Sequence, residues 1–165
     1  ETAQTSIEAA LTGHLVLSTL HTNDAPSAVT RLIEMGIEPF LVASALDSVV
    51  AQRLARRLCR HCVVKRALDP GLVESLGFSA PGDGALVGEP QGCGRCSGTG
   101  YRGRVALHEV MRVSEGVERL AVARASGLEI RRLAVEEGMV PLREDGWRKV
   151  LDGLTSVEEV LRVTA

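Results

Sequence analysis

The residues with the plainest chemistry are four cysteines, spaced as Cys59-x-x-Cys62 and Cys93-x-x-Cys96 in a chain of 165 residues. Two such knuckles offer four soft thiolates, the donor set of a tetrahedral zinc. Four thiolates leave no open coordination position, so that zinc folds the chain around itself and does no catalysis. The spacer between the pairs is 30 residues, longer than the usual ribbon. Its Pro70, Pro81, Pro90 and many glycines suit a looped-out insert. The basic residues nearby favour thiolate formation. Paired disulfides and a redox-active Cys-x-x-Cys stay open as other readings of the same residues. A disulfide scaffold does not fit so few cysteines in a chain of this size, and a reduced, cytoplasmic setting does. His61, inside the first knuckle, reads as a bystander to the thiolates.

A second candidate is His21, in the polar group His21-Thr22-Asn23-Asp24. Asp24 is a good helix N-cap and Pro26 fits a first helical turn. Ahead of this group, Leu15–Leu20 is an apolar run broken only by Ser18 and Thr19. That pattern predicts a strand buried on both faces, as in a parallel α/β sheet. The order is then strand, polar tip, helix. Ligands of open α/β sheets sit beyond the carboxyl ends of the strands, where this puts His21. The plain alternative is a His that finishes a turn. His14 lies seven positions earlier and would face the other way on a common strand, so the two are no metal pair.

Other patterns carry less. Gly98-x-Gly100-x-x-Gly103 has the letters of a dinucleotide fingerprint but follows a cysteine knuckle, so its glycines serve turns. No Gly-x-x-x-x-Gly-Lys-Ser/Thr occurs, and the two lysines, Lys65 and Lys149, do not follow glycine. Arg53, Arg56, Arg57, Arg60, Lys65 and Arg66 form a basic cluster with no acid among them. It reads as a solvated face, or as a contact for nucleotide phosphate, a neighbouring subunit or acidic headgroups.

These residues need elements to hold them. Helical spacing runs over Thr2–Leu11 and ends at Gly13. A helix over Ala25–Met35 turns Val29, Leu32 and Ile33 inward. Phe40–Leu58 fits either one long helix or a helix followed by a strand. A short helix is expected near Leu72–Leu76, and strand-like alternation over Val105, Leu107, Glu109 and Met111. From Ser114 on, the chain reads as helices: Ser114 caps one, Ser126 with Glu129 makes a capping box, and Gly138 ends the second. Two more follow, near Pro141–Leu151 and Ser156–Val163, with Thr155 expected to cap the last.

Composition bounds the rest. The net charge of −2 implies no strongly electrostatic partner, and four aromatic residues make a poor base-stacking surface, so nucleic acid is not expected. No apolar run approaches the roughly 18 residues that would cross a membrane. The chain starts at Glu1 without Met and reads as part of a longer protein.

Glu1-Thr2, Thr12-Gly13-His14-Leu15-Val16-Leu17-Ser18-Thr19-Leu20-His21-Thr22-Asn23, Arg31-Leu32, Met35-Gly36-Ile37-Glu38-Pro39-Phe40, Ala51-Gln52-Arg53-Leu54, the four cysteines and Gly98-Thr99-Gly100-Tyr101-Arg102-Gly103-Arg104 follow one another in this order. Together they resemble the secretion ATPases, the hexameric motors of type II secretion and type IV pilus assembly. The resemblance covers essentially the whole chain. It implies an α/β fold: the C-terminal portion of a RecA-like P-loop ATPase domain, a parallel-sheet fragment, with an inserted tetracysteine zinc module and a C-terminal helical subdomain. It also resolves Phe40–Leu58 into a helix to about Leu46 and then a strand.

The resemblance further implies a division into 1–58 (the ATPase core with its histidine box), 59–104 (the zinc module) and 105–165 (a closing strand and helices). His21, helped by Thr22, would approach the terminal phosphate of the nucleotide; from the basic cluster, Arg53 is taken as a candidate nucleotide contact. Structural zinc would sit on Cys59, Cys62, Cys93 and Cys96, one per chain. ATP and Mg would bind in the intact parent, a homo-hexamer at the cytoplasmic face of a bacterial inner membrane, docked to a membrane platform and accessory secretion or pilus proteins. The phosphate-cradling loop and the acidic Walker B residue would precede Glu1. The cysteines point to the secretion or pilus-extension branch, since the retraction branch generally lacks them. The other class of function is a zinc-stabilised protein-interaction module with no catalysis.

Overall fold

The computed structural model describes residues 2–78 and 85–164, so Glu1 and Pro81 lie outside the described residues. In chain order the elements are α1 (Thr2–Leu11), α2 (Ala25–Glu34), α3 (Pro39–Ala45), β1 (Ser48–Leu58), β2 (Val64–Ala67), α4 (Pro70–Ser75), β3 (Leu86–Glu89), β4 (Tyr101–Arg112), α5 (Glu115–Val122), α6 (Gly127–Glu136), α7 (Leu142–Leu151) and α8 (Val157–Thr164). They form two compact units, each discontinuous in sequence.

The first unit comprises Glu1–Ala51 and Glu109–Pro141. Its core is built by the apolar faces of five helices: Ile7 of α1, Val29 and Leu32 of α2, Val42 of α3, Val117 and Ala121 of α5, and Ile130 and Ala134 of α6, with Met111 from β4. The helices start where local chemistry stops the chain fraying. Asp24 accepts the N–H of Ser27 at 2.8 Å ahead of α2, and Ser114 accepts that of Val117 at 3.2 Å ahead of α5. Ser126 and Glu129 cap one another's backbone at α6, as their spacing predicts.

The second unit comprises Gln52–His108 and Leu142–Ala165. Its core gathers Val73, Val87, Trp147, Val150 and Val160 around Phe78. The Phe78 and Trp147 rings stack with centroids 4.6 Å apart. β2 and β3 pair antiparallel, Val64 opposite Glu89. β1 and β4 form the other ladder. At its first-unit end Asp47 accepts from Val113 beside the start of β1, and in the second unit Cys59 donates to Gly100 just past its end, so this ladder is antiparallel too.

The α/β class, the strand after α3 and the closing helices stand as expected. Two local expectations do not. Residues 14–22 carry no regular secondary structure, and Leu15 and Leu17 are 85% and 88% exposed. A parallel strand needs ladder partners for its backbone groups, and among the described residues no strand pairs with this run; both ladders present are antiparallel. At the last helix the cap is Ser156, whose Oγ accepts the N–H of Glu159 at 3.3 Å. Thr155 is buried one position earlier and donates to the Arg56 carbonyl at 2.8 Å instead.

Candidate metal centre and histidine loop

Cys59 follows directly on β1, and its N–H donates to Gly100 at 2.9 Å. The chain then turns tightly: the N–H groups of Cys62 and Val63 both donate to the Cys59 carbonyl, at 3.2 and 3.0 Å. The second pair forms a single 3-10 turn over Gly94–Cys96, closed by Gly98 donating to Cys93 at 3.0 Å. Gly100 leaves that turn with φ +75°, and a Cβ there would lie 2.4 Å from Cβ of Pro90. Only glycine lets the two strands of chain pass so closely.

The four sulfurs all lie within 4.8 Å of one another. Cys59 and Cys93 are 4.0 Å apart, Cys62 and Cys96 3.8 Å, and Cys93 and Cys96 3.8 Å. A tetrahedron of thiolates about 2.3 Å from a zinc has edges of about 3.8 Å. The donor set and its spacing therefore fit such an ion. All four cysteines are free thiols, and none forms a disulfide.

The backbone is arranged for thiolate. The N–H groups of Cys93 and Gly100 each donate to Sγ of Cys96 at 3.2 Å. Burial alone would raise the Cys96 thiol; these donors outweigh it and bring it down to about 6. Cys62 is pushed up to about 12, by burial and then by the three neighbouring sulfurs. One negative sulfur in the cluster thus raises the cost of the next, a conflict that a divalent cation removes. His61 stands outside the set, exposed, with its Nε2 3.4 Å from Nη1 of Arg95.

The basic cluster is partly neutralised. Arg56 pairs with Glu159 at 2.7 Å, and Arg66 with Glu89 at 2.7 Å.

His21 is exposed and Thr22 half-buried, on the segment that leads into α2. Sequence reading missed what holds that segment. Glu109, 1% exposed, accepts the N–H of Ala25 at 2.7 Å. Arg131 of α6 lies 2.7 Å from Asp24 and 3.8 Å from Glu109. A signal was present: Glu109 falls on the inward side of the Leu107-Glu109-Met111 alternation, where a charge needs a partner.

The family model for type II/IV secretion system proteins matches residues 1–162. The chain belongs to this family. Among relatives in the secretion family, the type IV pilus assembly ATPase PilB of Thermus thermophilus is 52% identical over 165 residues, which are 99% of this chain and 19% of that protein. The type II secretion system protein E of Pectobacterium carotovorum is 48% identical over 164 residues, 99% of this chain and 32% of that one. This secretion-family chain thus spans about a fifth to a third of the length of the curated relatives it matches. In structure it is similar to the pilus retraction motor PilT crystallised with ADP, at a TM-score of 0.63 and 17% identity over 98% of this chain and 36% of the other. The Yersinia pseudotuberculosis ATPase DotB gives a TM-score of 0.62 at 18% identity, over 99% and 34%. At these identities the likeness is one of fold.

Proposed function

We propose that this chain is the C-terminal part of a hexameric ATPase that couples ATP hydrolysis to protein export or pilus assembly. The observation that carries this reading is the family match over residues 1–162, joined by relatives at about half identity, among them one named a type IV pilus assembly ATPase. In this reading ATP and Mg bind in the longer protein, whose remaining length supplies the phosphate-cradling loop that this sequence lacks. The motor works in the cytoplasm against the inner membrane and passes its motion to a membrane platform. No helix among the described residues is long and apolar enough to cross a membrane, which fits peripheral docking.

His21 is the group of this chain that meets the terminal phosphate. An imidazole N–H donates to a phosphate oxygen, and loss of that oxygen changes the bond. Thr22 shapes the loop, and Arg53 adds positive charge toward the nucleotide. Cys59, Cys62, Cys93 and Cys96 hold one structural zinc per chain, which braces the turn regions and takes no part in hydrolysis.

ATP turnover by the purified full-length protein, its His21→Ala variant and their melting temperatures tests the motor reading. Turnover should fall at an unchanged melting temperature. Parental turnover in the variant would remove His21 from the mechanism. Absence of ATPase activity in the parent would favour the second reading, a zinc-stabilised interaction module. Elemental analysis should find one zinc per chain.

A further inference from the structure

Two glutamates are buried among the described residues, Glu109 and Glu159. Glu159 is held by two arginines. Glu109 lies between Leu107 and Met111 on the inward side of β4, where a third apolar side chain would complete the core at no electrostatic cost. A carboxylate survives there only if fixed donors replace its water. The donor that the geometry supplies is the first N–H of α2, that of Ala25 at 2.7 Å, at the positive end of the helix dipole. Pro26 has no N–H, and the N–H of Ser27 is taken by Asp24 at 2.8 Å. The first three residues of α2 therefore have no unpaired donor. One end of the turn is closed by its own cap and the other by a side chain 84 positions later. Arg131, a third exposed, bridges both acids from α6.

His21 stands four residues before Ala25. We propose that Glu109, with Arg131, is a positioning residue for His21: it fixes the first residue of α2 and thereby the loop that presents the imidazole to the nucleotide phosphate. This rests on the reading of His21 given above. Asp24 alone caps the helix in the ordinary local way. Glu109 adds what a local cap does not, a tie between the loop and the inward face of β4. Misplacing a reacting group by about 1 Å costs up to about a hundredfold in rate, so the tie matters for turnover far more than for nucleotide binding.

The test is a double-mutant cycle on ATP turnover in the full-length protein, with Glu109→Gln, His21→Ala and both together. Gln keeps the shape and one acceptor but loses the charge. Glu109→Gln should lower kcat by roughly tenfold to a hundredfold with KM for ATP little changed. In the His21→Ala background it should lower kcat no further. An equal loss in both backgrounds would assign Glu109 to the core alone and overturn the proposal, as would parental kcat in Glu109→Gln beside a slow His21→Ala. Parental kcat in His21→Ala would instead bring down the reading of His21, and this inference with it. Should Glu109→Gln not fold, Arg131→Gln, at a part-exposed site, carries the same cycle with the same criteria. Hydrogen exchange gives an independent readout: the amide of Ala25 should exchange faster in Glu109→Gln while that of Met111 stays slow.

Discussion

Glu159 and Arg56, 103 positions apart, are joined at three points: the Arg56 N–H donates to Oε1 at 2.8 Å, and its Nε and Nη2 donate to Oε2 at 2.9 and 2.7 Å. Arg162, one turn along α8, adds Nε at 2.8 Å. The Arg56 guanidinium also lies 4.2 Å above the Tyr101 ring. The last helix of the chain is thereby tied to β1 of its own unit. Glu159→Ala should cost about 2–3 kcal/mol, since it strands a backbone donor and two cations. The figure sits below that for a fully buried pair because the Arg56 and Arg162 side chains are about half exposed and rehydrate. The midpoint of denaturant unfolding at constant m-value measures it.

The same contact sets an acid limit. Burial would raise the Glu159 carboxyl, but the hydrogen bonds from Arg162 and Arg56 outweigh it and hold the group at about 2, against an ordinary 4.5. A folded-state value below the unfolded one means that the stabilisation is complete above the unfolded value and is lost as pH falls toward the folded one. Stability should therefore drop between about pH 4.5 and pH 2. Glu159→Gln should be less stable at pH 7 and flatter across that window. An equally steep decline in the variant would assign the acid loss to other carboxyl groups.

With zinc on the four cysteines, as proposed, its removal should loosen the cysteine region first. Chelation or Cys96→Ser should expose the amides of Cys62 and Gly98 to fast hydrogen exchange, while those of Ile130 and Ala134 stay protected. Acidification should release the metal as the thiols take up protons. A protein that kept its exchange pattern after losing its zinc would show that the turns close without it.

Two glycines make a matched comparison. Gly100→Ala meets both a φ of +75° and Pro90 at 2.4 Å, whereas Gly103→Ala meets a φ of +80° with nothing within 4 Å. Gly103→Ala should cost about 1–2 kcal/mol, the left-handed backbone penalty alone. Gly100→Ala should cost more and weaken metal binding as well, because its N–H bonds Sγ of Cys96. Melting temperature and zinc content read the two effects separately.

Residues 15–20 have no ladder in this structure, and their leucines face solvent. In the chain of 165 residues their amides should exchange at nearly unprotected rates. Slow exchange of the same amides in the full-length protein would mean that the run gains partners there. Fast exchange in both would mean that the run is not a strand in either.

What could be read from the sequence was chemistry confined to a few residues. Asp24, Ser114 and Ser126 cap helices because a side chain reaches an N–H three positions on, an interaction that needs no distant partner. The two Cys-x-x-Cys pairs announce a four-sulfur cluster because the spacing bends each pair into one turn. The cap of α8 shows where this resolution ends. Thr155 and Ser156 are both good caps with a glutamate three residues on. The choice fell to Ser156 because the Arg56 carbonyl takes the hydroxyl of Thr155.

By itself, then, the sequence determined the pairing of the cysteines into two turns, most of the helix starts and, by its run of motifs, the family with its α/β class. The tertiary structure alone decided which distant residues meet. It set Glu109 on Ala25 and Glu159 on Arg56, and it joined 1–51 with 109–141 and 52–108 with 142–165. The reason is physical: a cap or a knuckle is closed by neighbours along the chain. The two buried carboxylates also need donors that folding brings from some 80 to 100 residues away, and no local spacing encodes where they are.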